Sequence, residues 1–516
     1  MDYHKEKQIG DEDDQIILHD GVSEDRISED GDNSSEIFLS RDFKSRHVSM
    51  FSVASAIGTG LIIGSGTGLK RGGPASLFLG YLFTGSLLVG VIFSLGEMAS
   101  FCPMDKGFSG YCTKYVDPAL GFAAGWNYFL KYAIVFSSNL TAAGLIIQYW
   151  LPNLNVAVWV SVFYVIIVAI NYLGSKYYGE LEFWFAVTKL LILVMIFIIC
   201  IVISSGGGPT HETIGFRYWR ETPFLEYLVS GSKGRFLGFF ACVCQLVFAV
   251  IGSETIGIVF GEAKDPKNTI PRASKQILIR IGFVYILGVF LLGISVSPNN
   301  PQLVSALGTN ADASPFVIAI KVSGIKVLPS FINACLLMFV LSTGISDLYI
   351  CSRQLYGLAK DGAAPKIFLK MNKFNIPFIG CLFAAIFGVL AYMNVKESSA
   401  ESFGYITSTV SVFGILNWAY ILISYIGFHR AVTSQDVPSA KIPFKMWFQP
   451  YSAYVTLFFV LVITFFFGYG AFVPKFDYKI FITSYIGVFV NIALYAFFKL
   501  WFKTKLVNPY TVDLRR

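Results

Sequence analysis

Apolar residues in this chain neither alternate nor recur along one helical stripe; they come in long blocks separated by short polar links. A membrane-spanning helix needs about 20 mainly apolar residues. Twelve blocks meet or approach that length, at 48–69, 74–98, 120–149, 156–174, 182–204, 236–260, 276–296, 330–352, 378–394, 404–428, 451–473 and 479–502. The pattern predicts an all-α polytopic membrane protein with twelve transmembrane helices. Two of the blocks are interrupted by glycine, at Ala56-Ile57-Gly58-Thr59-Gly60 in the first and at Val250-Ile251-Gly252-Ser253-Glu254 in the sixth. A helix broken at the bilayer midplane frees backbone N–H and C=O groups that lipid cannot satisfy, so the break belongs beside a protein-lined cavity. Two such breaks at corresponding places point to the substrate site of a secondary transporter. Glycine also serves close helix packing, which accounts for Gly64, Gly66 and Gly68 better than for Glu254.

Composition agrees with the membrane class. The chain is 54% hydrophobic and only 14% charged, against about 25% charge in soluble proteins. Its net charge of +7 is spread over short loops rather than gathered on one face, which excludes nucleic acid as a partner. Those charges set direction instead. Lys264, Lys267, Arg272, Lys275 and Arg280 follow the sixth block, and Arg353, Lys360, Lys366, Lys370 and Lys373 follow the eighth. The positive-inside rule makes both links cytosolic, and an even number of spans then puts both termini in the cytosol. The eight cysteines show no Cys-x-x-Cys spacing and no neighbouring histidine, so neither a disulfide framework nor a metal site is expected.

Residues 1–46 are acidic and serine-rich without apolar periodicity, the composition of a disordered cytosolic tail, and they lack the layout of a signal peptide. Lys5 and Lys7 in that tail are candidate sites for ubiquitin-dependent turnover. The link at about 205–235 carries Gly215-Phe216-Arg217-Tyr218-Trp219-Arg220, which reads first as an interfacial aromatic belt and second as a lip that attracts anions. No nucleophile, metal or phosphate motif stands outside the apolar blocks, so the chain is not expected to be an enzyme or to need a cofactor.

Ionisable residues within spanning helices mark pathways or paired structural sites. Glu254 stands in the second break, where it suits a proton carrier or a partner for an ammonium group. Lys189, in the fifth block, either gains and loses a proton during transport or extends its head to the interface. Lys131 is too deep in the third block to reach the interface; it contacts substrate, or it pairs with Glu254 or Asp347. Asp347 follows Ser342, Thr343 and Ser346 on a polar stripe, but the favoured reading has it meet Arg353 at the cytosolic helix end.

Several motifs in order resemble the fungal amino acid permeases of the amino acid-polyamine-organocation superfamily: Ile57-Gly58-Thr59-Gly60-Leu61, Gly96-Glu97-Met98-Ala99, Tyr115-Val116-Asp117-Pro118, Gly252-Ser253-Glu254, Gly261-Glu262-Ala263 and Ile270-Pro271-Arg272-Ala273. Gly215-Phe216-Arg217-Tyr218-Trp219-Arg220 and Lys475-Phe476-Asp477-Tyr478-Lys479 are most similar to the dicarboxylic amino acid permeases among them. The resemblance implies a LeuT-like core of two inverted five-helix repeats, residues 47–428, then helices 11 and 12 at 429–503 and a short cytosolic tail at 504–516. It implies a plasma-membrane symporter that takes up amino acids by alternating access, driven by the proton gradient. On this pattern the substrate carboxylate meets the amides near Gly58, Thr59 and Gly60. The α-ammonium meets carbonyls of Ala56, Ile57 and Ile251, with Gly252 and Ser253 completing the second break. Phe248 stands where the family has an aromatic lid, and Lys189 matches the lysine proposed as a proton carrier, beside Glu254. Neutral and general relatives tend to carry glutamine at Lys131 and glutamate at Asn139, so the charge change here favours glutamate and aspartate. The alternatives are a neutral or broad-specificity permease, and a sensor that binds amino acids without transporting them.

Overall fold

The computed structural model describes residues 58–514, apart from 105–106, 173–174, 210, 256–265, 302, 304–313, 396–398, 439–441 and 447. Ala56, Ile57 and the acidic tail lie outside the described residues. Among these residues the fold is entirely helical. The helices are α1 (Ser65–Phe101), α2 (Gly107–Tyr115), α3 (Pro118–Ile147), α4 (Val156–Asn171), α5 (Ser175–Ser204), α6 (Arg217–Glu221), α7 (Gly231–Val250) and α8 (Pro266–Arg280). They continue with α9 (Leu287–Ser295), α10 (Pro315–Val322), α11 (Leu328–Lys360), α12 (Phe378–Ile386), α13 (Ser399–Ser434), α14 (Tyr451–Phe466) and α15 (Tyr478–Phe502).

Nine helical stretches among the described residues are long and apolar enough to cross a membrane, and Val156–Asn171 and Phe378–Met393 are shorter apolar helices. The first and second sequence blocks run together as Gly60–Phe101, which bends where Gly73 turns to φ +81° before Pro74. Pro74 lacks the N–H that a straight helix would use there. Polarity is arranged inside out relative to a soluble bundle. Side chains such as Lys131, Lys189 and Asn127 are fully buried, while Phe489, Ile492, Leu500 and Trp501 of α15 face outward. Lipid is the solvent that tolerates such a surface.

Two helix pairings position the site. α1 packs along α7, and α3 packs against α11 and α13. A buried amide network ties α3 to the others: Asn127 donates to the Phe413 carbonyl at 2.9 Å and to Asn417 at 2.7 Å, and Asn491 of α15 donates to Asn127 at 2.5 Å. The Trp219 ring of α6 sits 5.7 Å from both Phe78 and Phe290, and Arg217 is ion-paired to Glu212 at 2.5 Å. That packing fits the aromatic-belt reading, with the Arg217 charge already met by an acid. One expectation from the charges changes. Arg280, read as a loop cation, is only 6% exposed and ends α8 inside the protein.

Candidate functional site

The second break appears where glycine predicts it. α7 ends at Val250, Ile251 leaves helical geometry at ψ 139°, Gly252 takes φ +102°, and Ser253–Thr255 form one 3-10 turn. A positive φ of that size strains any residue with a Cβ, so Gly252 is the pivot. Glu254 secures the turn from within: one of its carboxylate oxygens accepts the Gly252 amide at 3.1 Å, and the other accepts the Lys131 ammonium. Both side chains are fully buried. The acid therefore satisfies a backbone donor that the break itself exposes.

On the other side, the helical run opens with a π turn at Gly60–Gly64. Gly60 crosses α7 so closely that an added Cβ would lie 2.3 Å from the Ala249 Cα and 2.9 Å from the Phe248 carbonyl oxygen. The start of this helical run and the end of α7 thus touch backbone to backbone. Between them lies a small cavity lined by Gly58, Thr59, Gly60, Phe248, Ile251 and Gly252, and by Tyr132, Asn139, Thr343, Ser346 and Asp347 from α3 and α11. Its volume is about 30 Å³, space for a water or two and less than any amino acid.

A chain of hydrogen bonds crosses this cavity. The Thr59 hydroxyl donates to the Asn139 carbonyl at 3.2 Å, and the Asn139 amide donates to Asp347 at 2.5 Å. Asp347 is 3% exposed and faces the cavity. The expected cap on Arg353 is not formed; the Arg353 guanidinium lies 4.2 Å from the Tyr349 ring centroid instead. Helical spacing explains the outcome, since Asp347 shares a face with Thr343 one turn before it, whereas Arg353 points elsewhere.

Lys189 does not extend to an interface. It is fully buried, donates to the Thr343 hydroxyl at 3.2 Å, and interacts electrostatically with Glu182 and Asp347. Lys131 sits behind the cavity wall rather than on it, its ammonium 4.0 Å from the centroid of the Tyr132 ring that does line the cavity. Of the residues singled out by sequence, Gly58, Thr59, Gly60, Phe248, Ile251 and Gly252 come together around the cavity. Lys131, Lys189, Ser253 and Glu254 stand one layer back. Glu182 was not singled out; it is 2% exposed and accepts the Ser342 hydroxyl at 3.3 Å. Its signal was its place seven residues before Lys189, two turns away on the same face of α5.

The described residues contain no group of His, Cys, Asp and Glu arranged to hold a metal ion, and all eight cysteines are free. What the cavity presents is backbone from the break after α7 and from the start of the Gly60–Phe101 run, a hydrogen-bonding rim and an aromatic cover, the composition of a small-molecule site.

Known proteins place this architecture. The family model described as "Amino acid permease" matches residues 47–508. An uncharacterized amino-acid permease of Schizosaccharomyces pombe is 56% identical over 481 residues, covering 93% of this chain and 92% of that protein. The dicarboxylic amino acid permease of Saccharomyces cerevisiae is 46% identical over 484 residues, covering 92% of this chain and 79% of that protein. A crystal structure of an Eremococcus coleocola manganese transporter superposes with a TM-score of 0.57 over 88% of this chain and 93% of that one, at 10% identity, a likeness of fold alone. The chain belongs to the amino acid permease family of multi-pass membrane transporters.

Proposed function

We propose that this permease imports amino acids by proton-coupled alternating access, with glutamate and aspartate as its principal substrates. The observation that carries the reading is the cavity enclosed between Gly58-Thr59-Gly60 and the break at Ile251-Gly252. At its Gly58-Thr59-Gly60 wall, helix-starting amides suit a substrate carboxylate, and Phe248 covers it. The proposal extends to twelve spans arranged as two inverted five-helix repeats within 47–428 followed by helices 11 and 12 at 429–503. It sets the protein in the plasma membrane with residues 1–46 and 504–516 cytosolic, and the tail lysines as targets of turnover. Counting the shorter apolar helices, and dividing Gly60–Phe101 at its bend, supports the number of spans.

Selectivity and coupling are assigned to one exchange. The side-chain carboxylate of an acidic substrate draws Lys131 away from Glu254 across the Tyr132 ring, and Glu254 takes up the proton that travels with the substrate. A buried carboxylate that loses its counterion has no other inexpensive state. Lys189, held between Thr343 and the carboxyls of Glu182 and Asp347, handles the proton on the opposite side of the cavity. The similarity to the dicarboxylic permease supports this assignment. Asp347 on the cavity wall supports a second reading, in which neutral or cationic amino acids are preferred, because a fixed carboxyl repels an acidic side chain.

Purified protein in liposomes under an imposed pH gradient tests both. Accumulation of labelled glutamate that aspartate displaces and leucine does not is the expected result. Displacement by leucine or lysine instead would establish the second reading. Binding without accumulation would make the protein a sensor.

A further inference from the structure

A second and much larger cavity, about 1160 Å³, opens beside the α14–α15 link, and nothing above assigns it a role. Its charged lining among the described residues is unbalanced. Lys70 and Arg71 from α1, Lys475 from the link and Lys479 from the first turn of α15 face it, against two acids, Glu401 and Asp477. Asp477 caps α15 by accepting the Lys479 and Ile480 amides at 2.8 and 3.3 Å, and Glu401 accepts the Tyr405 hydroxyl at 2.6 Å. The cations come from two stretches of chain far apart in sequence, 70–71 and 475–479, so no single helix accounts for the cluster.

The cavity leads toward the inner site. Ile63, one turn from Gly60, lines it, as does Phe403. Phe403 packs edge-on against Phe248, centroids 6.1 Å apart at 86°, and Phe248 lines the inner cavity. That pair of rings therefore joins the wall of the basic chamber to the wall of the inner cavity. In the proposed topology the chamber opens to the outside, because it shares its end of the bundle with Tyr227 and Leu228 of the long outward link.

We propose that this chamber is a first binding site for the carboxylates of an acidic amino acid, held by Lys70, Arg71, Lys475 and Lys479 before the Phe248–Phe403 pair parts. The inference rests on the acidic-substrate reading and deepens it. A cavity lined by one sign of charge, walled by apolar protein, concentrates ions of the opposite sign and loses that effect as salt rises. It also offers the dicarboxylic substrate two cations at once, which a neutral amino acid does not need.

The test is glutamate uptake by the full-length protein in liposomes, at low and high ionic strength, for wild type, Lys475→Gln/Lys479→Gln and Lys475→Arg/Lys479→Arg. The glutamine variant is expected to raise KM for glutamate about threefold to tenfold at low salt with Vmax little changed, and to converge on wild type at high salt. The arginine variant should restore the low-salt KM. An unaltered KM in the glutamine variant would overturn the chamber while leaving the substrate reading in place. So would a loss in both variants, which would make the lysines structural. Saturable uptake of neutral amino acids but not glutamate by the wild type would remove the substrate reading, and the chamber with it.

Discussion

Lys131 and Glu254 form a pair that is costly to disturb. Each is fully buried, and each has the other as its counterion. Removing one partner leaves a charge without compensation, a loss of about 3–5 kcal/mol, whereas neutralising both removes the problem together with the bond. Lys131→Gln and Glu254→Gln are each expected to lower unfolding stability in detergent by that amount, and the double variant to recover at least half of the summed loss. Additive losses would mean that the two side chains are not coupled. Function divides differently. If Lys131 exchanges Glu254 for the substrate's side-chain carboxylate, Lys131→Gln lowers glutamate uptake more than alanine uptake when both are normalised to protein at the membrane. An equal fall in the two would leave Lys131 as structural support for the second break, whose Gly252 amide Glu254 already holds.

The close crossing of the Gly60–Phe101 run over the end of α7 depends on Gly60. A Cβ there meets the backbone of Ala249 and Phe248, which has no rotamer to retreat into, whereas a Cβ on Gly58 meets only the Thr343 side chain at 3.6 Å, an ordinary contact. Gly60→Ala is therefore expected to lose about 1–3 kcal/mol and nearly all transport. Gly58→Ala should keep its stability while raising KM, because its methyl enters the cavity. Melting curves and uptake kinetics of the two variants check this; a fully active Gly60→Ala would show that the segments separate more easily than their contact implies. Glycine in an apolar block was enough to locate the second break, because backbone freedom is written in the residue itself, while the first expected break, Ala56–Gly60, falls partly outside the described residues. Long apolar runs likewise announced the helices. Pairing was not legible. In sequence Lys131 has three candidate partners, substrate, Glu254 and Asp347, because the choice depends on how α3 packs on its neighbours, which no local pattern encodes. Arg353 at the helix end is the nearby cation that the sequence offers Asp347, yet the helical face of Asp347 turns it toward Asn139. Glu182 escaped notice for the same reason: its partners, Ser342 and the charge of Lys189, lie across a helix interface or two turns along.

Far from the cavity, the end of the chain is fastened back onto the bundle at Asp117. This residue caps α3 by accepting the Ala119 amide at 2.9 Å, and it also receives the Lys499 ammonium of α15 and the Thr504 hydroxyl at 2.8 Å. The strap continues past it. The Val507 amide donates to the Val116 carbonyl at 2.8 Å, and Gln435 at the end of α13 donates to the Pro509 and Val512 carbonyls at 2.9 and 2.8 Å. Two helices distant in sequence, α3 and α15, and the segment that follows α15 thus converge on one carboxylate. Burial pushes the Asp117 carboxyl up, but the Lys499, Ala119 and Thr504 hydrogen bonds and the Lys499 charge outweigh it and hold the group below the usual carboxylate range. A carboxyl whose folded value is depressed adds stability above its unfolded value, about 3.9, and loses it as pH falls through the folded one. Asp117→Asn should accordingly melt earlier than wild type, by a margin worth about 1–3 kcal/mol, nearer the lower figure because Lys499 is partly open to solvent. The margin should stay constant from neutral pH to about pH 4 and close only below it. Thermal unfolding of both proteins across that range measures it, and limited proteolysis after Phe502 reports whether the strap has come loose. A margin that closed between pH 7 and 5 would assign the linkage to another group, and an intact strap in the variant would show that Gln435 and Val116 hold the tail without Asp117.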